Sequence, residues 1–359
     1  MSSERSVRVG GRVIGGGAAI AVQSMATTDT KDVDATVAQI QALEQAGCDI
    51  VRVALYDEAC ADSAARIRER IHIPLVGDVH FSAGIAVAAL EAGIDKIRIN
   101  PGNIGSAAQI ARVAAAAKMA GAPLRVGANS GSLSPGAAGT RGLVDSTMKN
   151  VGVLEALGFD DIVVSVKSSD VRECVEAARE LSRRCPYPLH LGVTEAGTYE
   201  RAVMKSAAGL GALLLDGIGD TIRISISGEP VREVEAAHAL LQSLRLETQP
   251  LEIISCPTCA RCRSIAIEPL ARRVESLADR CEFPVRVAVM GCEVNGPGEA
   301  KQADIGIAGG RGQAVLFEHG QIVGKCRPED AFAALAKALE AFQEKRRREV
   351  ADESGGAGR

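Results

Sequence analysis

From about residue 20 to residue 245 the chain alternates short Val/Ile/Leu-rich runs with longer stretches in which apolar residues recur every three or four positions. The first pattern suits strands and the second suits amphipathic helices. It predicts strands at Ala21–Met25, Asp49–Leu55, Pro74–His80, Lys96–Asn100, Leu124–Ser130, Asp161–Lys167, Leu189–Glu195 and Thr221–Ser227, each followed by a helix. Capping signals agree: Ser169-Asp170 can open a helix over Val171–Arg184, and the Ala-rich Ser106–Ala120 stops at Gly121. Eight such units are what a closed (β/α)8 TIM-type barrel needs. A doubly wound open sheet fits the alternation too, but it gathers its polar strand ends at one switch point. Here nearly every predicted strand ends in polar or charged residues, so an α/β barrel with its chemistry across one whole face is expected.

Thr248-Gln249-Pro250 marks a boundary, after which Leu251–Ile254 starts a new strand. A helix around Ser264–Asp279, strands at Val285–Met290, Ile305–Ala308, Ala314–Phe317 and Ile322–Gly324, and a helix from Pro328 into Lys345 then describe a smaller α+β domain. The expected division is 1–247, 248–345, and a frayed helix end with a disordered tail over 346–359.

Composition narrows the function. The 359 residues are 47% hydrophobic and only 3% aromatic, without Trp, and the net charge is −4, so no nucleic-acid surface is expected. No run approaches a membrane span, and the polar start Met1–Arg5 is followed by no long apolar segment. The ten cysteines therefore read as reduced thiols in a cytoplasmic protein, with Cys48, Cys60, Cys174 and Cys185 as small buried apolar side chains.

Residues two apart in a strand face the same side, so Arg98 and Asn100 point together, as do Arg125 and Asn129. With Arg52, Lys167 and Arg223 at comparable positions, five cations converge on one cavity of an acidic protein. An anionic ligand, best a phosphate, accounts for the set, although ion pairs with Asp78 and Glu195 would account for single members. Asp78, His80 and Glu195 are candidate proton donors or hydroxyl ligands. The Gly/Ser-rich stretch Gly131–Thr147 is a candidate lid, and Gly102–Gly105 a candidate phosphate cradle at a helix start.

The C-terminal domain carries Cys256-Pro257-Thr258-Cys259-Ala260-Arg261-Cys262 and, about thirty residues on, Gly291-Cys292-Glu293-Val294-Asn295-Gly296-Pro297-Gly298-Glu299. This is a metal site, iron–sulfur or zinc. Three ligand sets compete: Cys256, Cys259, Cys262 and Cys292; Cys256, Cys259, Cys281 and Cys292; or Cys256, Cys259 and Cys292 with Glu299. A carboxylate is harder and more easily displaced than a thiolate, so the third set would leave one metal position open.

Together with Val22-Gln23-Ser24-Met25, Arg98–Gly105, Gly192–Gly197 and Asp216–Thr221, these two cysteine motifs resemble the 4-hydroxy-3-methylbut-2-enyl diphosphate synthase family in its two-domain bacterial form. The resemblance runs from about residue 8 to residue 345. It implies a [4Fe–4S] cluster on Cys256, Cys259 and Cys292, with Glu299 on the fourth iron. It also implies reductive opening and dehydroxylation of 2-C-methyl-D-erythritol 2,4-cyclodiphosphate, with flavodoxin or ferredoxin as electron donor. By motif position Arg52, Arg98, Asn100, Arg125, Asn129, Lys167 and Ser225 would hold phosphate or hydroxyl oxygens, and Glu195 would face the reacting carbons. A homodimer is implied, the cluster domain of one subunit closing over the barrel of the other. Cys262 is a thiol the family pattern does not require, and it is expected to stand by.

Two rivals differ in class. A radical S-adenosylmethionine barrel also pairs a cluster with βα units, but its Cys-x3-Cys-x2-Cys loop sits near the first strand, and this chain lacks both spacing and place. A zinc-stabilised binding module would be colourless where an iron–sulfur protein is brown.

Overall fold

The computed structural model describes residues 3–133, 138–260, 262, 264–292 and 300–356. The chain divides into two compact units, Met1–Leu246 and Glu247–Arg359.

The first unit opens with a hairpin that the apolar pattern did not predict, β1 (Ser6–Val9) and β2 (Arg12–Gly15), antiparallel across Gly10-Gly11. Gly10 takes φ 54°, a left-handed conformation that suits the tight turn. Barrel strands follow as β3 (Ala21–Met25), β4 (Ile50–Ala54), β5 (Leu75–Asp78), β6 (Lys96–Arg98), β7 (Leu124–Asn129), β8 (Ile162–Lys167), β9 (His190–Leu191) and β10 (Thr221–Ile222). All pairs are parallel, in the order β8-β7-β6-β5-β4-β3-β10-β9, and a single parallel bridge, Val164 to Leu189, joins the two ends of the ring. The last two strands are much shorter than their apolar runs predict, because the chain after Leu191 and Ile222 leaves the ladder to form the mouth.

Helices α1 (Val33–Gln45), α2 (Glu58–Arg68), α3 (Ala83–Glu91), α4 (Ala107–Ala120), α5 (Gly139–Ala156), α6 (Val171–Arg184), α7 (Tyr199–Leu215) and α8 (Pro230–Ser243) follow the strands in turn. Asp170 caps α6 by accepting from the Glu173 amide, and Gly121 ends α4 in the left-handed region. Their apolar faces and the outward strand residues form one core, in which Cys48, Cys60 and Cys185 are buried. Inside the barrel, Val7, Val9 and Ile14 of the hairpin pack on Ala21, Ile50, Val76 and Val163, closing its N-terminal end with an apolar layer.

The second unit is a five-stranded mixed sheet in the order β11 (Leu251–Ser255), β12 (Val285–Met290), β13 (Ile305–Gly309), β14 (Ala314–Glu318) and β15 (Gln321–Cys326). It is covered by α9 (Ile267–Glu275) and α10 (Ala331–Gly356). The disordered tail expected from residue 346 is corrected: α10 runs on to Gly356. Pairs one helical turn apart, Arg346 to Glu349 and Arg348 to Glu344, support the extension, and Arg347 reaches Glu282 at 2.6 Å. Among the described residues no helix is long and apolar enough to cross a membrane.

Candidate active site

TIM-barrel interiors are ordinarily filled by branched apolar side chains. Above the apolar plug this one holds Arg52, Lys96, Arg98, Arg125, Lys167 and Arg223 against two carboxylates, Asp78 and Glu233. The register explains the gathering. Arg98 stands opposite both Asp78 and Arg125, and Lys167 stands opposite Asn129, so strand parity turns all of them inward at the strands' C-terminal ends.

Asp78 is the hub on one side. Its oxygens lie 3.0 Å from Arg98 NH1 and 3.6 Å from Arg52 Nε, and His80 approaches at 3.6 Å. Burial alone would raise its pKa, but Arg52, His80 and Arg98 outweigh that and hold the carboxyl well below the usual range. Arg52 also directs Nε and NH2 at the Met25 thioether, 3.1 and 2.8 Å away, and burial pulls its pKa down to about 10. On the other side Arg223 pairs with Glu233 of α8 at 3.2 Å, and Glu233 also accepts from the Ser24 hydroxyl and the Ile226 amide. The partner of Arg223 is thus Glu233, a carboxylate not among the candidate partners Asp78 and Glu195. Glu233 lies only ten residues on, but in the helix that follows, so strand parity gave no sign of the pair.

Deeper in, polar atoms go unanswered. Arg125 Nε and NH1, Lys96 Nζ and both amide atoms of Gln23 are buried and find no hydrogen-bond partner among the described residues. Burial, with the neighbouring guanidiniums of Arg125 and Arg52, pushes the Lys96 pKa well below its usual value. Lys167 Nζ meets His190 Nε2 at 3.1 Å, and His190 Nδ1 meets Thr221 Oγ1 at 2.7 Å. Lys96 and His190 were missed in the sequence, although both lie on predicted strands and Lys96 shares its parity with Arg98.

The other expected residues sit at the rim. Asn100 and Ser225 are half-buried, and Asn100 Oδ1 accepts from the Gly102 amide at 3.1 Å. Asn100 also lines a cleft of about 810 Å³ with Asn103, Gly127, Arg141 and Lys149. A larger cavity of about 1010 Å³, beside Arg179, Cys185 and Asp220, lies apart from these cations. Glu195 is exposed and holds φ 52°, a conformation that strains a non-glycine residue and marks sites where position matters.

Two expectations are corrected. The start of α4 is no open phosphate cradle, because the Gly102, Asn103 and Ile104 amides donate to Asn100 and a capping box takes up those of Ser106 and Gln109. Most of the expected lid is helical, since α5 begins at Gly139 and buries Leu143, Val144, Thr147, Val151 and Leu154 along one face. Residues 134–137 lie outside the described residues.

In the second unit, Gly291 separates two sulfurs. A Cβ there would lie 2.6 Å from Cys262 Sγ and 3.4 Å from Cys256 Sγ, and the Gly291 amide donates to Cys256 Sγ at 3.1 Å. Cys262 donates to the Ile265 carbonyl at 3.2 Å, and burial, then Cys256, Cys259 and Cys292, push its pKa up. Cys259 is exposed and Cys292 half-buried, while Glu299 lies outside the described residues. Among the described residues no three His, Cys, Asp or Glu side chains converge on a single-ion site. The donor set, soft thiols around side-chain-free space with an N–H directed at sulfur, fits a sulfide-bridged cluster.

Comparison with known proteins supplies an independent line. Residues 4–238 match the model of the GcpE TIM-barrel domain, and residues 252–341 that of the GcpE protein C-terminal domain. A 4-hydroxy-3-methylbut-2-en-1-yl diphosphate synthase (flavodoxin) of Geobacillus thermodenitrificans is 49% identical over 96% of this chain and 93% of its own. The enzyme of the same description from Anoxybacillus flavithermus is 50% identical over 96% of both chains. Among solved structures, a dihydropteroate synthase from Stenotrophomonas maltophilia aligns with TM-score 0.52 at 15% identity, over 67% of this chain and 97% of its own. A type I 3-dehydroquinate dehydratase from Clostridium difficile aligns with TM-score 0.51 at 14% identity, over the same shares of the two chains. At such identities these two matches speak for the barrel alone.

Proposed function

Because the chain belongs to the GcpE family of 4-hydroxy-3-methylbut-2-en-1-yl diphosphate synthases, we propose that its barrel mouth is where 2-C-methyl-D-erythritol 2,4-cyclodiphosphate is bound, opened and dehydroxylated. The observation that carries this reading is the excess of buried guanidiniums over carboxylates, with Arg125 Nε and Nη1 unanswered among the described residues. Buried like charges repel, and a dianionic cyclic diphosphate is a fitting counter-charge.

The conversion to (E)-4-hydroxy-3-methylbut-2-enyl diphosphate and water takes up two electrons and, counted in fully protonated forms, two protons. Arg98 and Arg52, held in place by Asp78, would grip one phosphate, with Arg125 and Lys167 on the remaining oxygens. Asn100, Asn129 and Ser225 would orient hydroxyls, and His80 would stand at the rim beside Asp78. The exposed carboxyl of Glu195 would deliver or position the proton for the departing hydroxyl. Cys256, Cys259 and Cys292, with Glu299, would hold a [4Fe–4S] cluster, which when bound supplies electrons singly. The names of the relatives favour flavodoxin as donor. A homodimer in the cytoplasm completes the proposal.

Anaerobic turnover of the cyclodiphosphate by iron-replete enzyme with a chemical reductant, followed by mass, is the direct test. Formation of the allylic diphosphate is expected; its absence from a preparation with full iron and sulfide content overturns the reading.

A further inference from the structure

Lys167 ends β8 with its side-chain nitrogen buried in the barrel; burial first, then the guanidiniums of Arg125, Arg52 and Arg223, push its pKa well below the usual lysine value, with the Cys174 thiol acting the other way. An anion in the mouth would keep it an ammonium, which has three donors and no acceptor. One donor goes to His190 Nε2, 3.1 Å away. With Lys167 in its ammonium form it can only donate, so that ring nitrogen is the acceptor, and the ring proton sits on Nδ1 and is given to Thr221 Oγ1 at 2.7 Å. His190 and Thr221 face each other in register on β9 and β10, and both are fully buried. The ionisable groups around the ring are all basic: Lys167, Arg125, Lys96 and Arg52. Burial first, then those groups, hold the imidazole pKa well below its usual value, which favours the neutral ring. On its other flank the ammonium has room only because residue 192 is glycine; a Cβ there would lie 2.8 Å from Lys167 Nζ.

We propose that His190, pinned by Thr221, is a positioning residue for substrate capture: it takes one Lys167 N–H and turns the remaining two toward the anion in the mouth. The choice of acceptor matters. A carboxylate in its place would cancel the charge of Lys167, as Asp78 does for Arg98. Neutral imidazole fixes the direction of the ammonium and leaves its full charge for phosphate. A role for His190 as acid is disfavoured, because an imidazolium would stand 3.1 Å from an ammonium among guanidiniums.

The inference rests on the reading that Lys167 contacts the substrate, and the test separates the two. Binding of the cyclodiphosphate to the holoenzyme is measured by calorimetry as a function of pH, alongside KM and kcat, for Lys167→Met, His190→Leu, His190→Gln and Thr221→Val. Lys167→Met should weaken binding about 10- to 100-fold, the usual worth of a charged hydrogen bond. His190→Leu should raise Kd and KM about tenfold with a smaller change in kcat. It should also move the alkaline limb of binding to lower pH, since an ammonium without its acceptor loses its proton more readily. His190→Gln, which keeps an acceptor, should restore most of both. If Leu and Gln variants both bind like the parent with the parent's pH profile, the inference is wrong while the site reading stands. If Lys167→Met binds normally, the site reading itself has failed. Should His190→Leu not fold, Thr221→Val decides: the same alkaline shift at smaller amplitude supports the proposal, and an unchanged profile overturns it.

Discussion

Asp78 and Arg98 face each other across β5 and β6, and the Arg98 guanidinium donates to the Asp78 carboxylate at 3.0 Å. The same carboxylate faces Arg52, so one negative charge holds two cations in an otherwise repulsive cluster. This arrangement stabilises the barrel and aims two guanidiniums at its mouth.

Asp78→Asn should therefore destabilise the barrel by about 3–5 kcal/mol, the usual cost of breaking a buried ion pair. Because the folded-state pKa of Asp78 is depressed, its contribution is complete above about pH 4, where the unfolded carboxyl is ionised. It is lost as pH falls below that value toward the folded pKa. Urea unfolding at neutral pH and in mild acid should show the gap between parent and variant narrowing in acid. A pH-independent gap would remove the electrostatic explanation.

Lys96→Met should raise stability. The amine is fully buried without a partner, a situation costing about 1–3 kcal/mol, and Met fills the same space without a charge. Since its folded-state pKa is lowered, the unfolded chain binds more protons at every pH between the folded and the ordinary lysine value. The gain should therefore shrink as pH rises toward the ordinary lysine value of about 10. Thermal unfolding across this range measures it; a lower melting temperature for the variant would mean that Lys96 has a stabilising partner.

Single Ser replacements of Cys256, Cys259 and Cys292 should abolish bound iron, acid-labile sulfide and the brown absorbance. Cys262→Ser should keep all three, because that thiol already donates to the Ile265 carbonyl. Iron loss from Cys262→Ser together with retention in Cys292→Ser would exchange the two in the ligand set. A colourless, zinc-bearing parent would favour the binding-module alternative.

Glu195→Gln should leave cluster absorbance intact and lower turnover about 10²- to 10⁴-fold, the range for loss of a general acid or base. Unchanged turnover would confine Glu195 to shaping the loop, where its φ of 52° already sets it apart.

Much of the barrel was legible because each strand carries its own signal. Arg98, Asn100, Arg125 and Asn129 could be paired by parity within a few residues of one another; β6 and β7 set Arg98 opposite Arg125, and β8 sets Lys167 opposite Asn129, while Asn100 lies just beyond β6. What strand parity could not reveal was contact between different elements. Glu233 reaches Arg223 from a helix, and Val9 and Ile14 of four-residue strands find partners as far away as Val163. His190 looks like an ordinary residue in an apolar run until the fold sets it between Lys167 and Thr221. The lid was misread because glycines at its start outweighed the helical spacing of Leu143, Val144, Thr147 and Val151.

The apolar hairpin layer of Val7, Val9 and Ile14 gives the barrel one blind end. Cargo that enters at the strands' C-terminal ends must leave by the same door. Spent diphosphate lodged among the cations would then bar the next molecule of fuel, so exit governs admission, and leftover product should compete head-on with fresh substrate.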